Sequence, residues 1–304
     1  MRSDVLDVVI AGGGPGGLSA ALVLGRSLKH VLVIDEGKPR NGVTVKSHGF
    51  LTRDGSKPGD IRQIAQEQMA KYKNVSIIED IIDDVVKENG LFTSTTRSGK
   101  KIISKKIIFS TGMKDHLPAI LGLHDVYGKT VFHCPYCDGW ERKNEPLAIF
   151  GNGKELFPFI KLIYNWSQDL IVFSNGPAII SDTEKKELEA HGIGLVETPI
   201  AEFQSNDGIL EQIVLIDGDA ISRKGGFMLT TGEKQSSMIP ARLGIPINEQ
   251  GQYETNEHGD TNIEGLFIIG DAKNTFTSIV GAASQGYETG VKINGEFAEE
   301  KWSD

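Results

Sequence analysis

The sequence predicts an α/β protein with two nucleotide-binding, Rossmann-like domains, of which the first is discontinuous because the second is inserted into it. Three observations carry this prediction. A strand, a glycine-rich turn and a helix follow one another near the start of the chain. The same succession recurs near residue 147, and a buried strand near residue 266 resembles part of the first unit. Such alternation is typical of parallel α/β sheets.

The first βαβ unit begins with the apolar run Val5–Ala11, which is broken only by Asp7. A run of this kind is expected of a parallel strand that is buried on both faces. Helix-forming residues 18–28 follow the glycine turn, and the apolar run 31–34 then leads to Asp35. We therefore expect a strand, a helix and a second strand in this order.

The second cycle begins at 147–150, passes Gly151 and Gly153, and returns through 170–173. Near the end of the chain, the apolar run 266–269 leads into a polar turn, as the strands of the first unit do. We therefore expect one domain to consist of residues 1–115 and 245–304, and the inserted domain to consist of residues 116–244.

The length, composition and net charge of the chain limit the classes of function that it can have. With 304 residues and 39% hydrophobic residues the chain can bury substantial cores. Its net charge of -9 argues against nucleic-acid and anionic membrane partners, which need clustered cations. The start lacks the pattern of a signal peptide, and no apolar run approaches the ~18 residues of a membrane span. We expect a cytoplasmic protein.

The first glycine motif has the spacing G-x-G-x-x-G, formed by Gly12, Gly14 and Gly17. These glycines permit a tight turn, a close approach of the backbone to a pyrophosphate, and close packing of helix and strand. Asp35 follows 18 residues after Gly17, where it can accept a hydrogen bond from a ribose hydroxyl. The motif predicts a dinucleotide site rather than a ligand-free glycine turn.

The two cysteines of the chain, Cys134 and Cys137, form one Cys-x-x-Cys. This spacing lets the sulfurs reach disulfide geometry, and beside a nucleotide motif it predicts a redox-active pair rather than two inert thiols or a metal site. Asp138 follows directly. A carboxyl there can donate a proton to a departing thiolate or accept one from an attacking thiol, and its alternative role is a helix cap.

Four segments in this order and spacing resemble the low-molecular-weight thioredoxin reductase family, and the resemblance covers nearly the whole chain. They are Gly12–Gly17, Ser110–Gly112, Cys134–Gly139 and Gly270–Ala272. The resemblance implies that residues 1–115 and 245–304 bind FAD, and that residues 116–244 form a pyridine-nucleotide-type domain carrying the redox pair. It also implies a homodimer, and a thioredoxin-like protein or a small dithiol or disulfide as substrate.

The resemblance further assigns roles to single residues. Cys137 would face the flavin, Cys134 would meet the substrate, and Asp138 would be the acid-base group. The residues implied to hold FAD are Gly12, Gly14, Pro15, Gly17, Asp35, Thr111, Gly112, Gly270 and Asp271.

A subgroup resemblance points in another direction. Residues 35–41 and 48–55, together with the segment that follows Cys137, resemble the dithiol oxidases that close disulfides in gliotoxin-like and holomycin-like natural products. Those oxidases have His where this chain has Asp138, so the acid resembles a reductase and its surroundings an oxidase. Either resemblance places Asn41 and His48 at the flavin. For His48, an ordinary loop histidine is the alternative.

The second glycine motif departs from the reductase pattern. Leu156 stands where a small residue is expected, and no Arg or Lys occurs between Gln168 and Asp182 to bind a 2′-phosphate. Ser278 and Ile279 replace the usual Arg-Gln. We predict poor direct reduction by NADPH, which leaves as redox partners NAD(P)H held differently, a ferredoxin- or flavodoxin-type donor, or oxygen as acceptor.

These observations favour an FAD-dependent thiol-disulfide oxidoreductase that works in the manner of a thioredoxin reductase. Two alternatives stay open at this point. One is an oxygen-dependent dithiol oxidase that forms a disulfide in a small molecule, and the other is a non-catalytic flavoprotein that senses redox state.

Overall fold

Two compact units make up the protein in the computed structural model, which describes residues 5–274 and 276–303. The first unit comprises Met1–Gly42, Pro58–Lys114 and Lys234–Asp304, and the second comprises Val43–Lys57 and Asp115–Glu233. These limits differ from the expected ones in three places: residues 43–57 and residue 115 group with the second unit, and residues 234–244 group with the first. The binding roles expected of the two domains stay predictions.

The described part of the chain contains strands and helices, with two runs of consecutive strands within residues 75–114 and 194–235. The strands are β1 (Leu6–Ala11), β2 (Val31–Asp35), β3 (Val75–Glu79), β4 (Ile82–Glu88), β5 (Leu91–Thr96), β6 (Lys101–Phe109), β7 (Met113–Lys114), β8 (Val131–Phe132), β9 (Leu147–Phe150), β10 (Leu170–Phe173), β11 (Gly194–Val196), β12 (Ile200–Asn206), β13 (Ile209–Leu215), β14 (Ala220–Ser222), β15 (Gly225–Met228), β16 (Lys234–Gln235) and β17 (Leu266–Ile268). The α-helices are α1 (Pro15–Arg26), α2 (Pro58–Met69), α3 (Leu123–Val126), α4 (Pro135–Asp138), α5 (Leu156–Tyr164), α6 (Asp182–Ala190), α7 (Ile239–Arg242) and α8 (Ser278–Ser303), and 3₁₀ turns cover Arg40–Val43 and Gly270–Ala272.

The first unit is built on a sheet in the order β3-β2-β1-β6, in which these neighbours are parallel. β6 also pairs with antiparallel β5 at its start and with parallel β17 at its end. β7 pairs with β16, which explains why residues 234–244 group with this unit. The carboxyl ends of β1, β2 and β17 carry the predicted nucleotide residues, as is usual for parallel sheets.

The sheet of the second unit has the order β11-β10-β9-β15-β8 and is parallel throughout. A smaller antiparallel sheet, β12-β13-β14, belongs to the same unit. The backbone of Val43 lies against Gly128, where a Cβ atom would come within 2.7 Å of the Val43 carbonyl oxygen. This close approach explains why residues 43–57 group with the second unit.

The α/β fold class predicted from the sequence is confirmed. The predicted strands at 147–150 and 170–173 coincide with β9 and β10. The first predicted helix begins three residues earlier than expected, at Pro15, because proline is accommodated at the first helical position. In the part of the chain that the structure describes, no helix is both long enough and apolar enough to cross a membrane.

Candidate active site

The cysteine pair lies at the start of α4. Cys134 and Cys137 form a disulfide, with their Cα atoms 5.3 Å apart. Cys134 is the N-cap of the helix, and the Cys137 N–H donates a hydrogen bond to Cys134 Sγ over 3.1 Å. Cys134 is buried, with 4% of its surface exposed, whereas Cys137 is partly exposed. The spacing therefore joins the two sulfurs, and their separate roles stay predictions.

Aromatic rings surround this disulfide within the second unit. Tyr136 and Trp140 are 73% and 67% exposed, which is high for large aromatic residues. Trp166 meets the Tyr136 ring edge-on, with 5.6 Å between the ring centroids. Gly139 permits this arrangement, because a Cβ atom there would lie 2.8 Å from the Trp166 ring. The redox pair thus has an exposed aromatic border.

The carboxyl group of Asp138 ends the same helical turn. Its pKa is raised from 3.8 to about 7, mainly by burial and secondarily by the nearby Glu141 carboxylate. His48 and Arg142 act in the opposite direction and lower this pKa. A carboxyl group with this pKa exists in both protonation states near neutral pH, which suits general acid-base catalysis.

His48 lies between two carboxylates of the second unit. Its Nδ1 is 3.5 Å from Asp54 Oδ1, and its Nε2 is 3.4 Å from Glu141 Oε1. The His48 side chain is largely buried, with 17% of its surface exposed. The structure thus links this histidine to the segment that follows the cysteine pair, while its predicted contact with the flavin stays a prediction.

The first glycine motif forms the turn between β1 and α1. Gly12 has φ +103°, and a Cβ atom there would lie 2.3 Å from the Ser110 carbonyl oxygen. A Cβ atom on Gly17 would lie 2.0 Å from the Gly12 carbonyl oxygen. Gly14 caps the helix, and Pro15 is its first residue. The first backbone N–H groups of α1 thus have no capping side chain, which is the usual arrangement for binding a phosphate.

Asp35 stands at the end of β2 and joins this turn to the loop that follows β2. Its Oδ1 accepts the Gly13 N–H over 2.8 Å, and its Oδ2 accepts the Gly37 N–H over 3.1 Å. Arg62 of α2 also pairs with Oδ2. A carboxylate has about four acceptor positions, so Asp35 retains capacity for a ribose hydroxyl. A cavity of about 410 Å³ opens beside Asp35 and Arg62.

The remaining predicted FAD residues follow β6 and β17 in the same unit. Thr111 Oγ1 is buried and has no hydrogen-bond partner among the described residues, as expected of a group that meets a ligand. Gly112 has φ +66°. Asp271 accepts hydrogen bonds from the N–H and hydroxyl of Thr277 and pairs with Arg40 at 3.2 Å. The orphaned threonine and the glycine turn fit a bound dinucleotide.

Gly270 and Asn41 are two further residues that were predicted to contact FAD. The Gly270 N–H donates to Gln285 Oε1 over 2.7 Å, which joins the turn after β17 to α8. Asn41 lies in the 3₁₀ turn Arg40–Val43. Their roles at the cofactor stay predictions.

In the second glycine motif, the side chain of Asn152 forms hydrogen bonds with the backbone of the turn and of a neighbouring loop. Asn152 Oδ1 accepts the N–H groups of Gly153 and Ile179, over 2.9 and 2.7 Å. Its Nδ2 donates to the carbonyl oxygen of Pro177 over 2.8 Å. The Gly153 N–H, which could donate to a phosphate, thus already donates to the Asn152 side chain. The same side chain also bonds to Pro177 and Ile179 in the loop after β10 and so connects that loop to the turn.

The helix after the second glycine motif begins later, relative to its motif, than the helix after the first. α1 begins one residue after the second glycine of its motif, whereas α5 begins three residues after Gly153, at Leu156. The Leu156 side chain is fully buried in the hydrophobic core of the second unit. Leu156, which stands where a small residue was expected, is therefore a core residue at the start of this helix, and Asn152 closes the turn.

Four residues of these sites were missed by sequence reasoning: Arg40, Arg62, Glu141 and Asn152. Glu141 lies three positions after Asp138, and Asn152 lies inside the glycine motif, so a signal existed for both. Arg62 is 27 positions from Asp35 on a separate helix. Only the fold brings these two together, and no local pattern could have identified the pair.

The fold and the site define the class of protein. A glycine turn built for a dinucleotide lies in one unit, and a disulfide with an adjoining half-buried carboxyl group lies in the other. These two features together are typical of a nucleotide-dependent disulfide oxidoreductase.

Comparison with known proteins identifies the family. Residues 6–286 match the family described as pyridine nucleotide-disulphide oxidoreductase. A protein of Arthroderma benhamiae assigned as a thioredoxin reductase is 30% identical, over 97% of this chain and 81% of its own length. The crystal structure of a protein assigned as thioredoxin reductase TrxB from Bacillus anthracis superposes with a TM-score of 0.93 at 34% identity, over 97% of this chain and 99% of that one.

A second crystal structure, that of HlmI, also has a TM-score of 0.93, with 27% identity over 100% of this chain and 96% of that one. The chain therefore belongs to the pyridine nucleotide-disulphide oxidoreductase family. It is a thioredoxin reductase-like FAD oxidoreductase, and the disulfide in the structure agrees with this activity. FAD supplies a centre that takes up or gives out two electrons.

We expect the substitution Gly14→Ala to weaken FAD binding by about tenfold or more, equivalent to about 1.4 kcal/mol. Its Cβ atom meets nothing within 4 Å and its φ of -76° suits alanine, so the protein should still fold. The methyl group would occupy the space needed for the pyrophosphate. Titrating apoprotein with FAD measures the change.

The matched control is Gly59→Ala, an exposed glycine in α2 that also has open space around it. This variant should bind FAD as tightly as the parent protein. Equal FAD affinity in Gly14→Ala would contradict the assignment of the first glycine motif to FAD.

Proposed function

We propose that the protein reduces disulfides by exchange with its Cys134–Cys137 pair, and that Asp138 is the acid-base group of this exchange. The observation that carries the proposal is the half-buried carboxyl group of Asp138 beside the disulfide, with its pKa raised to about 7. A protonated carboxyl group at neutral pH can donate to a departing thiolate, which an ordinary aspartate cannot.

The exchange follows from the chemistry of a dithiol. In the reduced pair, the thiolate of Cys134 attacks one sulfur of the substrate disulfide, and the other substrate sulfur leaves and takes the proton of Asp138. The thiolate of Cys137 then attacks Cys134, which releases the second substrate sulfur as a thiolate and re-forms the internal disulfide. Two electrons pass to the substrate, and reduced FAD held by the first unit would supply the two electrons that reduce the pair again.

The first unit is proposed to hold FAD. Gly12, Gly14, Pro15 and Gly17 would accommodate the pyrophosphate, and Asp35 would accept the ribose hydroxyl. Thr111 and Gly112 would follow the cofactor after β6, with Gly270 and Asp271 after β17. Thr111 supports this proposal because its buried hydroxyl has no partner within the described residues.

The substrate is proposed to be a thioredoxin-like protein or a small disulfide that packs against the exposed rings of Tyr136 and Trp140. Aromatic side chains of this kind contribute large contact areas at interfaces. A homodimer follows from the family resemblance, and a cytoplasmic location from the use of both cysteines as one redox pair. Size measurement in solution tests the dimer.

The electron donor is proposed to be a ferredoxin- or flavodoxin-type protein rather than NADPH. Asn152 supports this proposal because its side chain already occupies the turn N–H of Gly153. In addition, no Arg or Lys occurs between Gln168 and Asp182, so this segment offers no cation to bind a 2′-phosphate.

NADPH is therefore expected to reduce the flavin slowly and without saturation. A small dithiol should reduce it rapidly, because this route uses only the cysteine pair. Anaerobic mixing of the oxidised protein with each reagent, followed at the flavin absorbance, makes the comparison. Fast, saturable reduction by micromolar NADPH would contradict the proposed donor and favour an ordinary NADPH-dependent reductase.

A dithiol oxidase is the second candidate. The closed turn at Asn152 favours it, because an oxidase takes its electrons from the substrate dithiol and has no need of NADPH. In this direction FAD would supply the centre through which two electrons reach oxygen, which with two protons becomes hydrogen peroxide. Consumption of oxygen in step with oxidation of a small dithiol would support the oxidase, and a dithiol-reduced flavin that stays reduced in air would support the reductase.

A further inference from the structure

The loop that carries His48 is closed on itself. Ser47 and Ser56 form an antiparallel bridge, in which the Ser47 N–H donates to the Ser56 carbonyl oxygen over 2.8 Å. Inside the loop, the Gly49 N–H donates to Asp54 Oδ1 over 2.8 Å. These bonds hold Asp54 and His48 at fixed positions within the second unit.

His48 in turn bridges this loop to the segment after the cysteine pair. Asp54 faces its Nδ1 and Glu141 faces its Nε2. Because an imidazole between two carboxylates is fixed at both nitrogens, its ring has little freedom to rotate. The arrangement therefore also restrains the Glu141 side chain, which is about a third exposed.

Glu141 is the carboxylate that acts on Asp138. The charged groups that act on the Asp138 carboxyl are Glu141, His48 and Arg142. Arg142 is itself paired with Glu145 at 3.1 Å. Glu141 thus disfavours ionisation of Asp138, whereas His48 and Arg142 favour it.

We infer that Glu141 and His48 are positioning residues of the exchange reaction, and that the Asp54–His48–Glu141 cluster acts on the proton transfer of Asp138. The inference rests on the proposed function, in which Asp138 is the acid-base group. It extends the working site from the cysteine turn to a loop that lies more than 80 positions earlier in the sequence.

Opposite charges in the pair lead to opposite expected shifts. Glu141→Gln removes an anion and should lower the pKa of Asp138 by about one unit. His48→Gln removes a group that lowers the pKa of Asp138 and releases Glu141, so it should raise that pKa by about one unit. Glu141→Asp keeps the charge and should restore most of the parent value. A residue with a purely structural role would not produce shifts of opposite sign.

Infrared difference spectroscopy of the holoprotein can follow the Asp138 carboxyl group directly across pH, with Asp138→Asn to identify its band. The matched control is Glu187→Gln, which removes an ion-paired glutamate of the same unit that contacts Lys161 instead. This variant should leave the pKa of Asp138 unchanged. Equal FAD content in every variant excludes misfolding.

The pH dependence of disulfide exchange forms the second arm. Its midpoint should move down in Glu141→Gln and up in His48→Gln, in parallel with the infrared values. Unmoved or same-direction infrared shifts would overturn the inference and leave the proposed function intact. Opposite infrared shifts in a protein that shows no disulfide exchange would overturn the proposed function while the electrostatic effect of the pair on Asp138 stood.

Discussion

Replacing either Cys134 or Cys137 with serine is expected to lower disulfide-exchange turnover by on the order of a thousandfold or more. A single thiol can form a mixed disulfide with the substrate but cannot resolve it, so the reaction stops after half a cycle. Turnover with a small disulfide and a chemical reductant of the flavin measures this loss. Met238→Ser, which removes an exposed sulfur of the first unit, is the control and should keep full activity.

The two cysteine variants should differ in their absorbance spectra. If Cys137 faces the flavin, the reduced Cys134→Ser variant keeps a thiolate that can donate charge to the oxidised ring, which adds a long-wavelength band. Cys137→Ser should lack the band. Its appearance in Cys137→Ser alone would reverse the predicted order of the two sulfurs.

Asp138→Asn is expected to slow disulfide exchange by about a hundredfold or more while FAD binding and the internal disulfide persist. The amide cannot deliver a proton to the leaving sulfur. Stopped-flow measurement of the exchange step gives the rate constant. Asp125→Asn, in the other single-turn helix α3 of the same unit, is the matched control. Unchanged kinetics in Asp138→Asn would reduce this residue to a structural role.

The pH dependence provides a separate check of Asp138. Its pKa is about 7, so its acid form is abundant below pH 7 and is lost as the pH rises through that value. The ratio of the parent rate to the Asp138→Asn rate should therefore fall as the pH rises through about 7. Taking the ratio removes the ionisation of the substrate thiols, which is common to both proteins. A constant ratio would contradict the acid role.

Asp138→Asn should be slower than the parent protein in disulfide exchange but more stable at high pH. Because the folded-state pKa of Asp138 lies above its ordinary 3.8, its stabilising contribution is complete below about pH 4 and is lost as the pH rises through about 7. Asp138→Asn stays neutral at every pH. Its Tm should therefore exceed that of the parent protein above pH 7, and the difference should shrink toward pH 4. Such an exchange of stability for function is common at active sites.

The fold could be predicted because its signals are local. The apolar runs of β1, β2, β9, β10 and β17 are each short and bounded by polar or glycine turns, and only Asp7 interrupts the run of β1. Their order along the chain then indicates parallel sheets. The limits of the compact units were less predictable, because the placement of residues 43–57 depends on the close contact of Val43 with Gly128.

The site was predictable only where neighbouring residues supply it. Cys134, Cys137 and Asp138 are adjacent in the sequence, and the structure joins the two sulfurs as the spacing indicated. The partnership of His48 with Glu141 depends on tertiary packing, and no sequence period predicts it. The closing role of Asn152 was missed because an amide side chain can bond either to solvent or to its own turn, and only the folded loop decides between them.

The closed second turn has a consequence for how this chain can change over time. A substitution at Asn152 would free the Gly153 N–H but leave α5 starting at the same residue. A small residue at Leu156 would open a cavity in a fully buried core position, at a cost of about 2–5 kcal/mol. Neither single step yields a working nucleotide site, and the second weakens the fold. A descendant of this protein would therefore open the second turn to a nucleotide only by several coordinated changes.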